Sequence, residues 1–291
     1  RRPRALLDNA PLEKLLAKMV PLMRLPRLIQ KGHLTALAVT ASSYSSGEHV
    51  TFYESAQAVQ PWVRSQRKAA RDRITHEHLL ASSAIPFVFP AKGITIDGHT
   101  EYFGDGSMRQ SAPIAAAIHL GAERVLVIGA GRMHEPRGDS TAPPSPSYPS
   151  LAQIAGHALS NIFLDALSVD VERVQRINQT LSLIPEEKRT HSALRPVELL
   201  VIAPSQRLDA IAARHVGDLP GPVRTMLGAL GVTSNMADVR GAALASYLLF
   251  EQGYTQELMA LGRADTLARR ADVCRFFGWK DTGAALRTRL P

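Results

Sequence analysis

Short apolar runs of strand character alternate with stretches of helical periodicity through the first 203 residues, and that alternation restricts the fold to a sheet flanked by helices. Leu34 to Thr40 reads as a buried strand, Gly47 as a turn, and Val50 to Tyr53 as a returning strand. Before them, Leu12 to Met23 has helical apolar spacing that ends among Pro21 and Pro26. Thr75 is a suitable N-cap for a helix through Ala84, with Glu77 in its first turn and Pro86 as its stop. Asp97-Gly98 lies between two alternating stretches, Ile94 to Ile96 and Glu101 to Phe103, which predicts a hairpin with a two-residue turn. Pro113 can open a helix running to Leu120, and Arg124 to Ile128 (RVLVI) reads as a core strand.

The second half is less regular. The segment 134–150 is proline-rich and aperiodic, so a loop is expected there. Leu151 to Leu183 has the spacing of a long helix, and Val197 to Ile202 that of another strand, closed by Pro204. From Gln206 onward the pattern is helical, with breaks near Gly217 to Pro222, Gly231 and Gly253. The expected organisation is α/β, a mostly parallel sheet core over residues 1–203 followed by a helical appendage over 204–291.

Composition narrows the classes. Hydrophobic residues make up 45% of the 291 and charged residues 21%, which supports a buried core and argues against disorder. No apolar run approaches the length of a membrane span. No secretory leader is visible either, although the chain opens at Arg1 and not at a methionine, which suggests that the natural start lies upstream. Cys274 is the only cysteine, which excludes an internal disulfide and a cysteine-built metal site and fits a reducing compartment. The net charge of +8 suits anionic lipid surfaces in principle. Apart from Arg1 to Arg4 and Arg64 to Arg73 the basic residues are scattered along the sequence, so a solvated surface is the simpler reading. With aromatics at only 5% and no motif to support it, nucleic-acid binding is not expected.

The chemistry concentrates in the stretch Ala81 to Ile128. Ala-Ser-Ser-Ala-Ile-Pro (Ala81 to Pro86) ends one helix. Tyr102-Phe103-Gly104-Asp105-Gly106 places a carboxylate between two glycines just past a strand, Pro113 follows eight residues later, and the strand Val125 to Ile128 comes next. Asp105 by itself would be read as a turn or cap aspartate. Taken together, these segments in this order resemble the patatin-like phospholipase family, and Leu34 to Tyr53 resembles that family's strand pair between its nucleophile and its aspartate.

The resemblance covers about residues 1 to 203 and is closest to bacterial members with a helical C-terminal extension. It implies a serine lipid acyl hydrolase of the phospholipase A or esterase type, acting in lipid catabolism through a Ser–Asp dyad without histidine. Asp105 would be the general base, with Asp105, Gly106 and Ser107 forming its motif. Ser107 stands where the family usually has Gly or Ala, and Ser111 and Ala112 stand where Asn is common. No cofactor and no metal are implied. A lipid or ester would be the substrate, contact with a membrane surface is compatible, and the cytoplasm or the membrane periphery of a bacterium is the expected location.

The family carries its nucleophile in a Gly-x-Ser-x-Gly elbow, and no such pentapeptide occurs in these residues. Ser43-Tyr44-Ser45-Ser46-Gly47 imitates it without the first glycine and without a following helix, so Ser45 is a poor candidate. The nucleophile and the oxyanion loop are therefore expected upstream of Arg1, and this chain alone is expected to be inactive. Three other features read as structural. Asp97-Gly98 is a hairpin tip, and Gly129-Ala-Gly131 lacks the third glycine and the helix of a dinucleotide fingerprint. His76, His78 and His119 lie in no metal-ligand spacing. The competing class is a non-catalytic α/β scaffold whose helical tail binds a partner protein.

Overall fold

The computed structural model describes residues 5–108, 110–131, 154, 166–189, 192, 194–229 and 244–281. The chain divides into two units after Gly121.

The first unit contains helices α1 (Ala10–Met19) and α2 (Leu25–Gln30), joined by a 3-10 turn at Leu22–Arg24. Strands β1 (Ala36–Ser43), β2 (His49–Ser55), β3 (Val63–Arg64) and β4 (Arg67–Arg71) follow, then helix α3 (His76–Ser82). Strands β5 (Lys92–Ile96) and β6 (His99–Asp105) and the short helix α4 (Ala115–His119) complete the unit. The six strands form one sheet in the order β3-β4-β2-β1-β6-β5.

The α/β class expected from the sequence is present. Strand direction is more mixed than a mostly parallel sheet: β2 and β4 run parallel, whereas β1–β2, β1–β6, β3–β4 and β5–β6 are antiparallel. The cause is local, because short turns join β1 to β2 and β5 to β6, and two strands joined by a short turn run antiparallel. Asp97 and Gly98 take φ of +50° and +80°, the left-handed pair that a type I′ hairpin turn requires.

β2 is buried on both faces, and the alternation of its side chains puts Val50 and Phe52 on one of them. Val50, Phe52 and Phe103 are fully inaccessible to solvent and pack with Ala41, Ile74, Ala81 and Ile94. Leu25 and Ile29, four apart on α2, dock on the same cluster. Phe52 meets Phe103 edge to face, with ring centroids 5.4 Å apart, the arrangement favoured by the ring quadrupoles. Helix α3 starts as predicted. The Thr75 backbone N–H donates to His78 Nδ1 at 3.1 Å, so His78 plays the part of the reciprocal residue of a capping box.

The second unit contains strands β7 (Arg124–Ile128) and β8 (Glu198–Ile202), which pair in parallel as a two-stranded sheet of their own. Among the described residues its helices are α5 (Leu167–Ser182), α6 (Glu186–Arg189), α7 (Leu208–His215), α8 (Gly221–Ala229), α9 (Gln252–Ala268) and α10 (Arg270–Phe277). Both strands, expected within residues 1–203, fall in this second unit. The long helix expected over Leu151 to Leu183 is seen from Leu167 to Ser182. The proline-rich segment 134–150 and the break at Gly231 lie outside the described residues.

Candidate active site

Asp105 is the last residue of β6, opposite Ala41 of β1. Its backbone N–H donates to Ala84 O at 3.0 Å, and the N–H of Gly106 donates to Ser82 O at 3.2 Å. The carbonyls at and just past the end of α3 would otherwise need partners, and here they clamp the Asp-Gly step onto the sheet. Phe103, two residues earlier on the same strand, is fully buried and fixes the approach.

The carboxylate is half-buried. Its Oδ1 accepts from the Ser107 backbone N–H at 2.8 Å and from the Ser107 hydroxyl at 2.5 Å. No donor meets Oδ2 among the described residues. Burial pushes the carboxyl above the ordinary aspartate value, because the charged form loses hydration, and the two Ser107 hydrogen bonds offset part of that rise. A carboxylate with raised basicity and an open oxygen can take a proton from a hydroxyl brought within about 2.6–3.2 Å.

The two glycines flanking Asp105 serve close approach rather than a left-handed backbone. A Cβ on Gly106 would lie 1.9 Å from Thr40 O, so only glycine lets this turn rest against β1. A Cβ on Gly104 would lie 2.5 Å from the Tyr44 hydroxyl. Tyr44 is brought there by the β1–β6 pairing, which continues past Ser43 with Tyr44 N–H donating to Tyr102 O at 2.9 Å. Burial, and then the charge of Asp105, hold the Tyr44 phenol above its ordinary value. It stays protonated at neutral pH and is a hydrogen-bond donor at the edge of the site. Tyr44 was not legible in the sequence, because nothing there reveals which strand pairs with β6.

The remaining candidates resolve as structure. Ser43 Oγ donates to Glu101 Oε2 at 2.7 Å and accepts the N–H groups of Ser45 and Ser46, each at 3.1 Å. This is a serine-stabilised turn, and Ser45 is exposed on it with no helix following. Asp97 is exposed at the hairpin tip, where Ile96 pairs with His99, at the opposite end of β6 from Asp105. His76 Nε2 bonds Val20 O at 2.9 Å, and His119 stacks on Trp62 with centroids 4.6 Å apart. Among the described residues no group of His, Cys, Asp or Glu could hold a metal ion. In the second unit, a Cβ on Gly129 would meet Ala203 Cβ at 3.3 Å and Leu167 Cδ2 at 3.4 Å. Glycine at this position therefore serves side-chain packing.

The model of the patatin-like phospholipase family matches residues 1–118. Over these residues the chain is similar to a patatin-like phospholipase domain. Comparison with curated proteins and with solved structures gives no match. The matched segment includes β1, β2, α3, β5, β6 and Asp105 with both its glycines. The domain supports a lipid acyl hydrolase of the esterase or phospholipase kind.

Proposed function

We propose that Asp105 is the general base of a serine lipid acyl hydrolase whose nucleophilic hydroxyl comes from a residue outside these 291. The observation that supports it most is the state of the carboxylate. It is half-buried at a strand end, Ser107 holds one oxygen, and no donor among the described residues meets the other. A serine hydroxyl is a weak nucleophile and needs such a base. The serine attacks the acyl carbonyl of a lipid ester while its proton passes to Asp105. Asp105 returns that proton to the leaving alcohol and then takes one from water, which attacks the acyl-enzyme; as the acyl–serine bond breaks, that proton passes to the serine oxygen and the fatty acid is released. Backbone N–H groups near the nucleophile would stabilise the oxyanion.

The test is Asp105→Asn in protein that includes a Gly-x-Ser-x-Gly segment. Phospholipid hydrolysis should fall by about 10² to 10⁴ without loss of fold, since a general base contributes that much. Asp97→Asn should leave activity unchanged, because Asn-Gly suits the same turn. Full activity in Asp105→Asn would overturn the proposal. The 291-residue chain alone should not turn over a short-chain nitrophenyl ester, and turnover abolished by Ser45→Ala would move the nucleophile into the turn.

A further inference from the structure

We infer that the helical arm Ala10–Lys31 is the surface by which this protein lies on an anionic lipid bilayer. It deepens the acyl-hydrolase reading by naming where substrate is met, and its test reads binding separately from turnover.

The arm carries five cations, Lys14, Lys18, Arg24, Arg27 and Lys31, against one carboxylate, Glu13. Glu13 is already paired with Lys92 at 3.0 Å. None of the five cations meets a carboxylate among the described residues. Linear inspection makes the basic residues look scattered, because these five are spread over eighteen positions. Folding gathers them on two consecutive helices and the turn between them.

The apolar side chains complete the pattern. No residue of α1 is buried, although its sequence is strongly apolar. Leu12 and Leu16 are its half-buried contacts with the body of the unit. Leu15 and Met19, also four apart, form a neighbouring stripe that faces solvent, and Met23 in the following turn is 85% exposed. Leu28 is exposed on α2, while Leu25 and Ile29 on its other side anchor that helix in the core. Lys14 and Lys18 form the stripe next to Leu15 and Met19.

Several unbranched or flexible apolar groups among unpaired cations, on a helix held only at one side, suit the plane of a bilayer interface. The apolar groups enter the acyl boundary, and the ammonium and guanidinium groups meet lipid phosphates. Among the described residues no helix is long and apolar enough to cross a membrane, so contact by this face lies on the bilayer. An acidic protein partner would use the cations but would gain less from an 85% exposed Met23 beside Met19.

The experiment is cosedimentation of the 291-residue chain with two vesicle types, pure phosphatidylcholine and equal parts phosphatidylcholine and phosphatidylglycerol. The chain should pellet with the anionic vesicles and far less with the neutral ones, and added salt should weaken the difference. Lys14→Glu combined with Lys18→Glu should lower anionic partitioning on the order of tenfold or more, since each cation near the surface contributes roughly fivefold. Met19→Ser combined with Met23→Ser should remove the binding that survives high salt. These side chains are exposed, so both variants should keep the wild-type melting temperature. Asp105→Asn should bind vesicles as the wild type does, which separates this inference from the catalytic one. Equal or absent binding to both vesicle types would overturn it, as would two folded arm variants that bind like the wild type. A dimer that Met23→Ser dissolves, with no vesicle binding, would also overturn it and assign the face to a second copy.

Discussion

Ser107 donates twice to one oxygen of Asp105, from its backbone N–H at 2.8 Å and from its hydroxyl at 2.5 Å, across a separation of only two residues. The pair forms a short loop of its own at the strand end, in which Oδ1 is held and Oδ2 is left to point elsewhere. Where the patatin-like pattern has a small residue without a hydroxyl, this chain adds a second donor to the Asp105 carboxylate.

That added donor sets a pH dependence. Burial raises the Asp105 pKa and Ser107 lowers it, with burial the larger effect. Only the ionised carboxylate can take a proton, so the acidic limb of kcat/KM should lie above the ordinary aspartate range. Ser107→Ala removes the hydroxyl and keeps the backbone donor, so the limb should move further up while the plateau at higher pH stays near wild type. A pH–rate profile of the active protein checks both. An acidic limb that moved down in Ser107→Ala would mean that the hydroxyl is not bonding to the charged form.

The same raised pKa has a stability consequence. A folded-state carboxyl with a pKa above its unfolded value holds its proton more tightly when folded, so its ionisation costs stability as pH rises through that interval. At neutral pH, Asp105→Asn removes that cost. The variant should therefore melt no lower than the wild type even as activity disappears. A clearly lowered melting temperature, measured by circular dichroism, would mean that the carboxylate is structural.

The two flanking glycines should respond differently to alanine. At Gly106 the new methyl would overlap a backbone oxygen, Thr40 O at 1.9 Å, and the sheet would have to move. At Gly104 the obstacle is the end of the Tyr44 side chain, which is half exposed and can swing out. Gly106→Ala should cost about 3 kcal/mol or more, the upper range for overpacking, and Gly104→Ala about 1 kcal/mol. Urea unfolding of the two variants gives the comparison. Equal costs would show that the loop at Gly106 relaxes freely.

What was legible in the sequence had local causes. The Asp97-Gly98 tip, the Thr75 cap and the RVLVI strand depend on residues within a few positions of one another, and each appears where its pattern placed it, although no residue of that strand is buried. Asp105 was singled out by the order of motifs around it, and its position at the end of β6 follows from the same hairpin. Long-range pairing was not legible. Nothing in Ser42 or Ser43 reveals that β1 runs beside β6, yet that pairing brings Tyr44 to Gly104 and Thr40 to Gly106. The directions of β1–β6 and β2–β4 were hidden for the same reason. The pairing of β7 with β8 in a sheet of their own was equally hidden, since their apolar runs look like any core strand.

In the second unit, His215 joins two elements through opposite ring nitrogens. Its Nδ1 lies 2.8 Å from Asp218 Oδ2 in the turn that ends α7, and its Nε2 lies 2.8 Å from Glu257 Oε2 on α9. Arg214 pairs with the other oxygen of Glu257, and Tyr254 of α9 presents its ring edge at 5.9 Å. The two carboxylate hydrogen bonds raise the imidazole pKa, Asp218 first and Glu257 next. A neutral ring can donate from only one nitrogen, so deprotonation leaves the other facing a carboxylate with no proton between them. The sign follows from a folded-state pKa above the unfolded value of about 6.5. The stabilisation is complete below that unfolded value and is lost as pH rises through the raised one. Hydrogen exchange of the α9 amides, corrected for intrinsic rates, should therefore quicken as pH climbs above about 6.5. Arg214–Glu257 remains as a residual tie, so α9 should loosen without detaching. His215→Ala should exchange at the quicker rate throughout and show no step in this window. A step that persisted unchanged in His215→Ala would place the titrating group elsewhere.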